Sequence, residues 1–249
     1  MIAWIEIAVF SSMWLAAAAA ALTAAAARAM DCPVDPRALG LAASGALIVY
    51  NVDRLRDVAR DRQTAPARTL FIEHHRTALI ALTGASALAA TAIAWNVGPA
   101  VAGLLTAVAG LGLLHRRLKA IPYAKAPYVA AAWSAVAVGL PALLAERPKH
   151  VIWVAAVLFG TILSNAIASG VRDREAIAAR LSSTRTLALA RAAAVAATLA
   201  ALAGPEPALA VLPATAFVAL IPFRAEERYR LFLLDGSLLA GALLAFGLL

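Results

Sequence analysis

Hydrophobic residues along this chain fall into nine stretches separated by short polar segments, most of which are basic. A membrane-spanning helix needs about 20 predominantly apolar residues, so the pattern predicts about nine transmembrane helices. The predicted helices cover residues 3–27, 37–51, 77–95, 98–114, 126–145, 151–169, 185–204, 207–222 and 230–249. The second and eighth stretches are short, which favours helices that are tilted, broken or extended by less apolar flanks.

Composition agrees with an all-α polytopic membrane protein. The 249 residues are 63% hydrophobic, with a mean hydropathy of +0.82, well above the apolar fraction of soluble domains. No polar stretch is long enough for a separate soluble domain, so residues 1–249 are predicted to form one integral-membrane domain. The first stretch contains Glu6 and lacks a basic start, which predicts a retained helix and not a cleaved signal peptide.

The basic residues predict the orientation of the bundle. Of the 22 Lys and Arg residues, 17 lie in the segments after the second, fourth, sixth and eighth stretches. By the positive-inside rule these segments are cytoplasmic, which places the N-terminus inside and the C-terminus outside a cytoplasmic-type membrane. The net charge of +8 therefore indicates topology and membrane lipids as partners, and no nucleic acid. Cys32 is the only cysteine, which excludes a disulfide framework and a cysteine-based metal site.

One basic segment also contains regularly spaced acids. Asp53, Asp57 and Asp61 follow each other at intervals of four residues, which on a helix places them on one face. Three carboxylates on one face repel each other unless a cation lies between them, and Mg²⁺ bound by carboxylates commonly shares its coordination shell with substrate phosphates. The alternative is a solvated helical face with stabilising acid–base pairs.

A second polar cluster begins near the end of the sixth stretch, on the same predicted side of the membrane. Asn165 lies within the stretch, and Arg172, Asp173, Arg174 and Glu175 follow it. The two clusters either face each other across a central cavity or are ordinary cytoplasmic charge. Lys119 and Lys125 flank a segment broken by Pro122 and Pro127; they are candidates to bind phosphate, or lysines that extend to the membrane interface.

Taken together, these features resemble the UbiA superfamily of intramembrane prenyltransferases over nearly the whole chain. Asp53-Arg54-x-x-Asp57, followed by Arg62 and Arg68, is similar to the first aspartate-rich motif of the family. The segment 118–125 is similar to the basic segment before the fifth helix of the family. The segment 165–173 and Thr184-Arg185-Thr186-Leu187 are similar to the second motif and to the start of the seventh helix, and Leu234-Asp235-Gly236 resembles the last helix.

The resemblance implies an all-α bundle around a central cavity that opens near the cytoplasmic side. It further implies a Mg²⁺-dependent transfer of a prenyl group from a prenyl diphosphate to an acceptor that is aromatic or otherwise lipophilic. The implied catalytic residues are Asp53, Asp57 and Asp173. The implied metal ligands are Asp53, Asp57, Asp61, Asn165 and Asp173, and the implied diphosphate-binding residues are Arg54, Arg62, Lys119, Lys125, Arg172 and Arg174.

The chain departs from the family pattern in both motifs. Val49 and Tyr50 stand where the first motif has Asn-Asp, and Ser169 stands where the second motif has a carboxylate. Asp61 and Glu175 are the candidates to compensate. The missing acids favour a second hypothesis, a membrane carrier or lipid-binding protein without transfer activity, and a third is a scaffold whose charges only orient the bundle.

Overall fold

The computed structural model describes the backbone of residues 2–119, 121, 123–173 and 176–249. The side chains of residues 2, 3, 60, 63, 64, 111–119, 172, 173, 176 and 230 lie outside this description. Every regular element within the described ranges is helical, as the sequence predicts. The α-helices are α1 (Ile2–Phe10), α2 (Met13–Ala29), α3 (Pro36–Arg56), α4 (Val58–Thr64), α5 (Pro66–His74), α6 (Arg76–Val97), α7 (Pro99–Lys119), α8 (Lys125–Leu144), α9 (Val151–Asp173), α10 (Ser183–Leu202), α11 (Val211–Leu220), α12 (Glu227–Tyr229) and α13 (Asp235–Leu248).

The nine apolar stretches all lie on helices, but fewer helices have the length and hydropathy of a membrane span. Within the described ranges five helices qualify, or six if α1 and α2, which are bent by 74° at their break, form one span. The described apolar parts of the fourth and eighth stretches, Pro99–Gly110 and Pro207–Leu220, are shorter than a full span. The count of nine spans predicted from the sequence is therefore not confirmed, whereas several helices long and apolar enough to cross a membrane are present.

Helix α2 lies at the centre of the bundle and packs against α3, α8 and α13. Twelve of its 17 residues are buried, and most of them are alanines. Alanine has so small a side chain that neighbouring helix backbones approach closely, which strengthens van der Waals packing where lipid supplies no hydrophobic drive between helices. The alanine-rich start of the sequence is thus the core of the fold.

Glycines allow the closest contacts between helices in the second half of the chain. A Cβ atom added to Gly160 would lie 2.9 Å from Ala197 Cβ, where α9 meets α10. A Cβ added to Gly241 would overlap Thr215 Oγ1 and lie 3.2 Å from Leu212 Cα, where α13 meets α11. These residues let the backbones of the paired helices approach each other.

Polar contacts join the loops at each end of the bundle. At one end, Lys149 Nζ lies 2.6 Å from Asp31 Oδ2, and Lys149 N donates to Met30 O at 2.9 Å. At the other end, which carries Asp53, Arg228 Nη2 lies 3.0 Å from Glu6 Oε1. The segment after the eighth apolar stretch therefore contacts the first helix at this end.

Candidate functional site

The aspartates of the first motif lie on two consecutive helices and not on one. Helix α3 ends at Arg56, and Asp57 occupies the junction with α4. The i to i−4 hydrogen bonds continue across the junction, with Asp57 N donating to Asp53 O at 3.0 Å and Asp61 N donating to Asp57 O at 2.9 Å. Asp53 is exposed and Asp57 is half-buried, so both carboxylates lie near the surface of this end.

Asp61, a predicted metal ligand, forms an ion pair with Arg68. Arg68 is buried, so this pair lies in a region that screens charge poorly. Arg62, a predicted diphosphate-binding residue, places Nη2 2.6 Å from Glu73 Oε1 and is largely exposed. Asp61 and Arg62 of α4 thus contact side chains of α5, and they hold the two short helices together.

Arg54 lies inside the protein and caps the end of α1. Its Nη1 donates to Phe10 O at 2.9 Å and to Val9 O at 3.3 Å, and the residue is 5% exposed. The last carbonyl groups of a helix lack intrahelical donors, and a cation near them also interacts favourably with the helix dipole. Sequence reasoning assigned Arg54 to diphosphate binding because nothing in the local sequence shows that α1 ends beside it.

Asn51 lies at the break between α1 and α2. Its Oδ1 accepts a hydrogen bond from Ser12 Oγ at 2.7 Å, and the residue is 1% exposed. Ser12 has φ = 66°, the left-handed conformation that interrupts the helix. Asn51 and Arg54 therefore satisfy polar groups that the break exposes, which explains why a polar residue is placed near the end of an apolar stretch.

The residues of the second motif are only partly within the described ranges. Asn165 Nδ2 donates to Leu234 O at 2.8 Å, at the end of the π-helical turn Arg230–Leu234 that precedes α13. A π-helical turn disrupts the regular hydrogen-bond ladder, and Asn165 supplies a donor there. The side chains of Lys119, Arg172, Asp173 and Arg174 lie outside the description, so their predicted roles stay predictions.

Helix α5, which follows the first motif, contacts Glu227 near the end of the chain. Nothing in the sequence predicts this contact. Glu227 accepts hydrogen bonds from Arg68 N at 3.0 Å and from Ala67 N at 3.3 Å. These N–H groups lie in the first turn of α5, where a carboxylate is favoured by the helix dipole. The two partners are 159 and 160 residues apart in sequence, so no local pattern signals the contact.

An apolar cavity of about 260 Å³ lies between α2, α3, α6, α7 and α8. Its wall is apolar except for a few side chains, and the hydroxyl of one of these, Thr23, donates to Ala19 O at 2.8 Å. Tyr50 and Trp133 meet at its wall, where Trp133 Nε1 donates to Tyr50 Oη at 3.2 Å. Because these polar groups are hydrogen-bonded, the cavity favours an apolar occupant.

Polar residues lie one helical turn from the cavity on two facing helices. On α3, Asp53 follows the cavity residue Val49 by four positions, and on α8, Tyr128 precedes the cavity residue Ala132 by four. Residues four apart share a helix face. Because Tyr50 and Trp133 meet at the wall, Asp53 and Tyr128 lie one turn beyond the same end of the cavity. Lys125, which is half-buried, lies a further turn along α8.

The carboxylates near Asp53 determine how a magnesium ion could be held at this end of the bundle. The described side chains include no group of three or more His, Cys, Asp or Glu residues that could hold a metal ion. Asp61 is paired with Arg68, and Asp57 also has an interaction within the protein, so few carboxylates at this end could hold a metal ion. Mg²⁺ is commonly held by one or two carboxylates together with substrate phosphates, and Asp53 with Asp57 would fit that donor set.

Comparison of the chain with protein-family models, with curated proteins and with solved structures finds no significant match.

Proposed function

We propose that this chain is a Mg²⁺-dependent membrane prenyltransferase related to the UbiA superfamily. The observation that carries the proposal is the position of Asp53 one helical turn beyond an apolar cavity, at the end of the cavity where Tyr50 and Trp133 meet. Such a site accommodates an amphiphile with an anionic head and an apolar chain. A prenyl diphosphate has this form, and the resemblance of the aspartate motifs supports it.

Each described residue has a role in this proposal. Asp53 and Asp57 hold the magnesium diphosphate at the opening, where bound Mg²⁺ supplies Lewis-acid stabilisation of the departing diphosphate. Lys125 contributes a positive charge for the same anion. The resemblance assigns Arg172, Asp173 and Arg174 to this site as well, and their side chains lie outside the described residues. The apolar wall of the cavity excludes water from the allylic end of the chain, which prevents hydrolysis of a reactive cation.

The proposed arrangement in the membrane has nine spans, with the N-terminus and the Asp53 end on the cytoplasmic side. The meeting of the segments after the second and eighth apolar stretches, through Glu227 and α5, supports a shared side for the basic loops. A prenyl diphosphate would then enter from the cytoplasmic leaflet. Reporter fusions at the two termini test this arrangement, and a cytoplasmic C-terminus would contradict it.

The test of activity is a transfer assay in proteoliposomes. Radiolabelled geranyl diphosphate is supplied with Mg²⁺ and a lipid extract of host membranes as a source of acceptors. We expect an organic-soluble product with the wild-type protein and none with Asp53→Asn. Glu226→Gln, which removes an exposed carboxylate of the loop before α12, is the matched control and should retain product formation.

A membrane carrier that binds an anionic lipid without transferring its chain is the second candidate. One observation favours it: Arg54, Asp61 and Arg62 contact protein groups, which reduces the charges directed at a diphosphate. A carrier would bind the lipid equally well after Asp53→Asn and would yield no product with any acceptor. The transfer assay and a binding assay on the same variants separate the two candidates.

A further inference from the structure

The size of the apolar cavity limits the chain that it can hold. An apolar protein cavity of about 150 Å³ holds one benzene molecule, which corresponds to about 25 Å³ for each carbon atom. By this scale the cavity of about 260 Å³ holds about ten carbons. On α3 its wall extends from Leu41 to Tyr50, a rise of about 14 Å along the helix.

Gly45 keeps the middle of the cavity open. It lies in the wall on α3, and a Cβ atom added to it would have no other atom within 4 Å. At Gly40, five residues earlier, an added Cβ would lie 3.1 Å from Ile93 Cδ1, so α3 and α6 are in close contact there. A side chain at position 45 would therefore occupy the space that a ligand needs.

The contacts around the cavity also orient its occupant. Asp53, Tyr128 and Lys125 lie beyond the Tyr50–Trp133 pair, at one end only. The Leu41 end of the wall, with Ala42 and Ala19, is apolar. An occupant therefore places its polar head near Asp53 and its apolar chain along α3 towards Leu41.

We propose that the cavity binds an apolar chain of about ten carbons, the length of two isoprene units, and that Gly45 determines this limit. The inference rests on the proposed function for the identity of the head group. It adds a substrate class, a short-chain prenyl diphosphate, and a specificity-determining residue, Gly45.

The experiment measures the affinity of the purified protein for non-hydrolysable thiolodiphosphate analogues with chains of five, ten, fifteen and twenty carbons, in the presence of Mg²⁺. Each methylene that leaves water contributes a factor of roughly four in affinity. We expect a steep rise, on the order of a thousandfold, from five to ten carbons. From ten carbons onward the affinity should change by less than about threefold, because further carbons lie outside the cavity.

Two substitutions on opposite walls test the position of the chain. Gly45→Leu on α3 and Ala132→Leu on α8 should each lower the affinity for the ten-carbon analogue to that of the five-carbon analogue. The affinity for the five-carbon analogue should change little. Gly84→Leu is the control, because Gly84 is exposed on α6, outside the cavity wall, and a Cβ there meets no atom within 4 Å. Thermal unfolding of each variant confirms that it is folded.

Several outcomes would overturn the proposal. A continued steep rise from ten to twenty carbons would contradict the size limit, and unchanged ten-carbon binding in both cavity variants would contradict the location. Recovery of a phospholipid acyl chain from the cavity, with no preference for ten carbons, would assign it to membrane lipid.

The same titration with prenyl alcohols separates this inference from the proposed function. If the alcohols show the limit at ten carbons and the effect of Gly45→Leu, while the diphosphate group and Mg²⁺ add no affinity, the cavity assignment stands and the prenyltransferase proposal fails. If the diphosphates bind in a Mg²⁺-dependent manner without any effect of Gly45→Leu, the prenyltransferase proposal stands and the cavity assignment fails.

Discussion

At the scale of single residues, neighbouring charges of the first motif have different environments. Asp53 is exposed one turn beyond the cavity wall, whereas Arg54, its neighbour in sequence, is buried against the end of α1. Adjacent helix positions point about 100° apart, so a motif of consecutive charges cannot serve one purpose throughout. Each charge therefore has to be tested separately.

Arg54→Met is expected to destabilise the protein. It leaves the carbonyls of Val9 and Phe10 without a charged donor, and such a loss in a buried region costs about 2–3 kcal/mol. Thermal unfolding in detergent measures the effect. Arg56→Met, at an exposed position on the same helix, is the control and should change stability by less than about 0.5 kcal/mol. A stable Arg54→Met protein with weakened diphosphate binding would instead assign Arg54 to the substrate.

At the scale of helices, close packing through glycine determines how α13 lies against α11. Gly241→Ala is expected to destabilise the protein by about 1–3 kcal/mol, because the added methyl group overlaps Thr215 and approaches the backbone of Leu212. Gly247→Ala lies on the same helix with open space around the new methyl group. Equal thermal stability of the two variants would show that α11 and α13 are not in close contact.

At the end of the bundle opposite Asp53, the ion pair between Lys149 and Asp31 makes a contribution to stability that depends on pH. The hydrogen bond from Lys149 holds the pKa of Asp31 below its ordinary value of 3.8. A depressed carboxyl pKa contributes stability that is present above the unfolded-state value and is lost as the pH falls through the folded-state value. Lys149→Gln should therefore lower the melting temperature slightly at pH 7.

The effect of Lys149→Gln on the melting temperature should disappear as the pH falls below about 4. Melting temperatures of both proteins between pH 3 and pH 8 measure the effect. Both side chains are exposed, so the difference is small at every pH. A difference that grows as the solution becomes more acidic would contradict this sign.

The sequence predicted the helices of the fold better than the breaks and the long-range contacts between them. Each of the nine apolar stretches lies on helices in the structure, because the backbone of an apolar segment in lipid has to satisfy its own hydrogen bonds. The bend between α1 and α2 escaped prediction, since two serines within an apolar stretch do not by themselves signal a left-handed Ser12 or its contact with Asn51. The contact of Glu227 with α5 escaped prediction for a related reason, because its partners are distant in sequence.

At the scale of the whole molecule, a helical bundle surrounds an apolar cavity, and Asp53 lies one turn beyond one end of it. The metal–phosphate site expected from the spacing of Asp53 and Asp57 stays a prediction. The cavity could not be predicted, because it results from the arrangement of five helices. The structure adds that Asp61, one of the predicted metal ligands, pairs with Arg68.

The most direct test of this account is the thermal stability of the purified protein with a non-hydrolysable prenyl diphosphate analogue, measured with and without Mg²⁺. A ligand that binds only the folded state raises the melting temperature in proportion to its occupancy. We expect the analogue to raise the melting temperature only when Mg²⁺ is present. This increase should be lost in Asp53→Asn and retained in Glu226→Gln. Stabilisation that is independent of Mg²⁺ and unchanged in Asp53→Asn would contradict the metal–diphosphate site, and no stabilisation under any condition would contradict diphosphate binding altogether.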